Sequence, residues 1–181
     1  MKSRAVLLGH PIHQMLVVIP VGLLLASVVF DLIAAATDRP AMAVVSFWML
    51  TSGLLGGLLA APFGLIDWLG IPAGTRARRV GALHGGGNVV VLVLFGASWA
   101  LRTAEGYLPW QAITLSVGAA ALATITAWLG GELVSRLGMG VTADAGLNTP
   151  SSLHPTASTT STGFTGAADV SNTRPRSARH E

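Results

Sequence analysis

The chain has no cysteine and a single lysine, Lys2, and only 10% of its 181 residues are charged. Without cysteine it forms no disulfide, no zinc–thiolate site and no iron–sulfur cluster of its own. With so few charges a water-soluble globule of this size could not cover its surface, since soluble domains carry about 25% charged residues. Disorder of the whole chain is excluded as well, because 51% of the residues are hydrophobic and disorder needs far more polarity. A mean hydropathy of +0.63 indicates an integral membrane protein. The net charge of +3 comes from arginines that flank apolar segments or sit near the C-terminus. That placement fits membrane topology and gives no nucleic-acid-binding surface.

Four apolar segments, about 12–36, 42–68, 80–102 and 110–134, are long enough to cross a bilayer, which takes about 20 residues each. All are expected to be helical, because backbone groups in lipid must pair within their own segment. Asp38-Arg39-Pro40, Gly70-Ile71-Pro72-Ala73-Gly74, and Glu105-Gly106 with Pro109 break them apart. Connections this short make neighbours antiparallel, so the expected fold is all-α, an up-down four-helix membrane bundle over residues 1–142. The first segment is read as a retained helix: its apolar run is too long for a signal core and contains Asp31. From about 143 to 181 the chain is rich in Ser, Thr and Pro and has no periodic apolar face, so a disordered tail is expected there.

Positive charge sets orientation. Lys2, Arg4, the Arg76, Arg78 and Arg79 cluster between spans two and three, and Arg136 all fall at one end. Both termini are therefore expected on the cytoplasmic side. Ionisable residues within spans are costly and mark functional candidates. His10 and His13 open span one, Asp67 closes span two, His84 and Asn88 begin span three, and Glu132 closes span four. All lie toward that same end. Asp31 alone lies near the other face, 18 residues past His13, or about 27 Å along a helix.

In an up-down bundle the first and third helices are diagonal, and both begin at this end. His13 or His10 then faces His84 across roughly 11–14 Å, with room for one metal between two imidazoles. Asp67 and Glu132, on the other diagonal, are placed to orient an imidazole through its second nitrogen. Gly53, Gly57, Ala60, Gly64 and Asp67 form one stripe on span two, and Gly81 and Gly85 flank His84. Small residues serve ordinary helix packing or leave a slot for a flat cofactor.

Three functional classes stay open. One is a single-haem electron-transfer subunit, with haem b held by His13 and His84 (His10 competing), Asp67, Asn88 and Glu132 supporting, and Arg76, Arg78 and Arg79 meeting the propionates. Another is a divalent-metal binding or transport protein using His10, His13, His84, Asp67 and Glu132. The third is a non-catalytic membrane subunit or scaffold that binds no cofactor and whose polar cluster fixes helix register; a homo-oligomer is compatible with all three. No second ligand pair stands at the outer end, so at most one haem is expected. No nucleophilic triad or dinucleotide-binding turn is present, and whether the protein is an enzyme stays open.

Gly9-His10-Pro11-Ile12-His13-Gln14-Met15 is similar to the GHPLHPM opening of a bacterial membrane-protein family called domain of unknown function 2231. The resemblance continues through Ala60-Ala61-Pro62-Phe63-Gly64-Leu65-Ile66-Asp67, Thr75-Arg76-Ala77-Arg78-Arg79, His84-x-x-x-Asn88, Gly130-Gly131-Glu132-Leu133-Val134 and Gly138-x-Gly140-Val141. It covers roughly residues 9–141. Gln14 departs from it, standing where the family often has proline. The resemblance implies four helices in a bacterial cytoplasmic membrane, in contact with lipid. Some members carry an attached Rieske iron–sulfur domain, which implies electron transfer; for this cysteine-free chain a Rieske-type partner would be a separate protein.

Overall fold

A computed structural model describes residues 3–143 and 145–153. Lys2, His154, His180 and most of the expected tail lie outside these residues. The elements are β1 (Val6–Leu7), β2 (His10–Pro11), α1 (Ile12–Leu16), α2 (Val18–Thr37), α3 (Pro40–Leu69), α4 (Arg76–Ala100) and α5 (Trp110–Ser135).

Four candidate spans result: Ile12–Thr37, Pro40–Leu69, Arg76–Ala100 and Trp110–Ser135. The first is α1 and α2 together, interrupted at Val17. Pro20 has no N–H with which to bond the Leu16 carbonyl, so the α-helical ladder lapses there. The third begins at Arg76 instead of about residue 80. Thr75 caps it, its hydroxyl accepting from the Arg78 amide at 3.2 Å. Arg76, Arg78 and Arg79, read from sequence as loop residues, are thus the first turn of α4.

The two strands pair antiparallel ahead of the first span, a feature the apolar pattern did not indicate. Leu8 and Gly9 form their turn with φ of 50° and 86°, the left-handed conformations that a two-residue hairpin requires. Ser152, within the stretch expected to be a tail, donates its hydroxyl to the Leu8 carbonyl at 3.0 Å. The chain after α5 therefore returns over this turn, and both ends of the described chain sit at one end of the bundle.

α2 packs along α3, and α4 along α5; the two hairpins meet through α3 on α4 and α2 on α5. Hence α2 and α4 lie on one diagonal and α3 and α5 on the other. Leu24, Val28, Leu50, Val91, Phe95 and Ala119 form the core at mid-height. Leu55, Leu58, Val93, Ile125 and Trp128 are exposed on the outer surface. In water that surface would be a liability; in a bilayer it faces acyl chains.

Candidate functional site

His13, on α1, rests against α3. Its Nδ1 lies 3.1 Å from the Ala60 carbonyl. A carbonyl only accepts, so in the neutral ring Nδ1 carries the proton and Nε2 keeps its lone pair. Gly64, one turn beyond Ala60, makes this approach possible: a Cβ there would stand 2.7 Å from the His13 Cε1. His84, on α4, is held the same way against α5. Its Nδ1 lies 2.8 Å from the Thr126 carbonyl, and a Cβ at Gly130 would stand 3.0 Å from its Cε1.

Asn88, one turn along α4, donates Nδ2 to the His84 carbonyl at 2.9 Å and accepts from the Thr126 hydroxyl at 3.0 Å. Its Nδ2 is 3.4 and 3.3 Å from the two ring nitrogens of His84, so it rests against the ring as a whole. Asn88 is beside the imidazole, as its spacing suggested.

The other sequence candidates are employed elsewhere. His10 is exposed on β2 with its Nδ1 3.2 Å from the Leu8 carbonyl. Asp67 does not contact an imidazole: its Oδ1 accepts from the Ser3 hydroxyl at 2.6 Å and from the Arg4 and Ala5 amides at 2.9 and 3.3 Å. Glu132 pairs with Arg76 at 2.6 Å. Backbone carbonyls, not these carboxylates, orient both rings. Arg78 donates to the Ile71 carbonyl at 2.7 Å and lies 4.5 Å over the Trp68 ring, while Arg79 is exposed. The glycine stripe on α3 is occupied by protein: Leu24 packs on Gly53, Leu92 on Gly57 and His13 on Gly64.

Among the described residues no group of three or more His, Cys, Asp or Glu is placed to hold a metal ion. Two imidazoles alone make a poor cage for a bare divalent cation, which takes three or four protein ligands. They do match a ligand that brings its own equatorial donors, as an iron porphyrin does.

A second polar cluster lies at the opposite end, and the sequence pattern showed only half of it. Asp31 on α2 and Arg102 just past α4 form a buried, bidentate ion pair, with Nη1–Oδ1 at 2.7 Å and Nη2–Oδ2 at 3.0 Å. Ser46 donates to Asp31. The Arg102 guanidinium also reaches Ser46 at 3.0 Å, Ser98 at 2.6 Å and Ser116 at 3.0 Å. Its Nε bonds the Ser98 carbonyl at 3.2 Å. Among the described residues no buried side-chain nitrogen or oxygen lacks a partner. From sequence Arg102 reads as a loop charge, yet Asp31 inside an apolar run demands a cation, and that demand was the available signal.

Four apolar spans around one buried and one half-buried polar cluster define a multi-pass membrane protein of the four-helix bundle class. The chain belongs to the family described as "Predicted membrane protein (DUF2231)", which matches residues 9–143. No curated protein and no solved structure matches it.

Proposed function

We propose that the protein binds one haem b between His13 and His84 and transfers single electrons at that end of the membrane. The observation that carries this reading is the matched pair of imidazoles: each has Nδ1 fixed by a carbonyl of the neighbouring helix, which makes Nε2 the lone-pair nitrogen, and at His84 the Asn88 amide, 3.3 Å from Nε2, turns aside when a ligand binds. Carbonyl-bonded Nδ1 is how metal-ligating histidines are commonly oriented. When bound, the haem supplies reversible one-electron chemistry. The chain's own residues set ring orientation (Ala60, Thr126), permit close approach (Gly64, Gly130) and pack beside His84 (Asn88). Arg4, Arg76, Arg78, Arg79 and Arg136 near this end favour a cytoplasmic position for it. Arg79, exposed beside the start of α4, is the arginine best placed for a propionate. Bare-metal binding is the weaker reading, because His10, Asp67 and Glu132 do not join the two imidazoles.

The test is purification from haem-replete cells, with visible spectra of oxidised and reduced protein. The expected result is a Soret band with sharp reduced bands, lost in His13→Ala and in His84→Ala and kept in His10→Ala. Haem-free protein under those conditions, or loss only in His10→Ala, contradicts the proposal.

A further inference from the structure

The two hairpins repeat one another. His84 follows His13 by 71 positions, and Arg102 follows Asp31 by the same 71. At that offset Pro20, Leu24 and Ser27 of α2 correspond to Val91, Phe95 and Ser98 of α4, and all six are buried. The second helices correspond at an offset of 66. Every buried residue of α5 (Ala112, Ser116, Ala119 and Thr126) then coincides with a buried residue of α3 (Ser46, Leu50, Gly53 and Ala60). Ala60 and Thr126 are the two carbonyls that hold the imidazoles, and Gly64 and Gly130 are the two glycines beneath them. The packing obeys the same rule: exchanging hairpins maps the α3–α4 contact onto the α5–α2 contact. This is a pseudo-two-fold arrangement with its axis along the bundle.

The axis therefore relates two pairs of residues: His13 with His84 at one end and, at the other, Asp31 with Arg102, which are in direct contact. At the imidazole end the hairpins meet where α3 leads into α4, and also where the chain after α5 crosses to the first hairpin, with Gly140 against Gln14 and Ser152 donating to the Leu8 carbonyl. Between α3 and α4, Trp68 Nε1 donates to the Arg78 carbonyl at 3.1 Å and Arg78 to the Ile71 carbonyl. No loop joins α2 directly to α5, so that seam is held at this end by these non-covalent contacts alone. At the far end a directional, bidentate ion pair joins the two hairpins.

We propose that Asp31–Arg102 is an inter-hairpin lock that holds the two halves of the imidazole site in register. Asp31 and Arg102 are its positioning residues, and because they occupy equivalent positions their charges are exchangeable. The idea rests on the haem reading only for what the lock serves.

The cysteine-free chain allows a direct test without haem. Spin labels are placed at Met15→Cys on α1 and Gly131→Cys on α5, both exposed and one on each hairpin, in full-length protein in lipid nanodiscs. With the native pair the expected result is one narrow distance. In Asp31→Leu/Arg102→Met, which leaves no buried charge unpaired, the distribution becomes about twice as wide. In Asp31→Arg/Arg102→Asp the narrow distance returns. A narrow distance in the uncharged variant overturns the lock, and a reversed pair as broad as the uncharged one overturns exchangeability. Should the reversed chain fail to fold, exchangeability falls with it, and the uncharged variant decides the lock. Since no haem is read out, failure here leaves the haem proposal standing, and absence of haem leaves this measurement intact.

Discussion

His13 and His84 make the same bond in the same setting: each Nδ1 meets a carbonyl of the adjacent helix, and a glycine four residues beyond that carbonyl lies under the ring. Gly64→Ala is expected to disturb this. A Cβ 2.7 Å from the His13 ring costs about 1–3 kcal/mol through overpacking. That outweighs the roughly 0.5–1 kcal/mol gained by replacing a helical glycine. Gly118→Ala in α5, which meets open space, is the control. Thermal melts in detergent should fall for the first and hold or rise for the second. Equal stabilisation by both would show that the ring does not rest on Gly64.

The buried ion pair gives the largest expected stability change. Asp31→Leu alone leaves Arg102 charged, buried and unpaired, at a cost of about 3–5 kcal/mol. Folded yield and melting temperature should drop sharply. Removing both charges in Asp31→Leu/Arg102→Met should recover most of the loss. If the single and double variants melt together, the pair does not behave as a buried couple.

Arg76 and Glu132 are the contrasting case. The Arg76 side chain is 56% exposed, and such pairs contribute under about 1 kcal/mol. Arg76→Ala should shift the melt only slightly, and less at high salt. A loss comparable to Asp31→Leu would mean that this pair is shielded from solvent.

Asp67 caps the segment ahead of the first span, one carboxylate oxygen accepting from Ser3, Arg4 and Ala5. Hydrogen bonds to a charged acceptor are worth about 1.5–3 kcal/mol each. Asp67→Ala should speed amide hydrogen exchange at Arg4 and Ala5 and leave the core of α3 protected. Unchanged exchange at those two amides would remove this role.

The spans were legible because unbroken apolar length is a composition property, and the diagonal placement of His13 and His84 followed from short loops alone. The start of α4 was misplaced because a Thr75 cap carries the helix through three arginines that hydropathy counts as loop. The Leu8–Gly9 hairpin escaped because two-residue strands have no periodicity to read. Asp67 and Glu132 sit at the expected level, but level does not fix direction; each found a nearer partner in an amide or a guanidinium. The hairpin repeat was hidden because it is kept in burial and hydrogen bonding while the paired residues differ, as Asp31 and Arg102 do.

Electron paramagnetic resonance of the oxidised, haem-loaded protein tests the central claim most directly. One haem per chain with a low-spin ferric signal, as two imidazole ligands produce, is expected, and that signal should be lost in His13→Ala and in His84→Ala. A signal unaltered by either substitution, or no haem iron in protein from haem-replete cells, would contradict it.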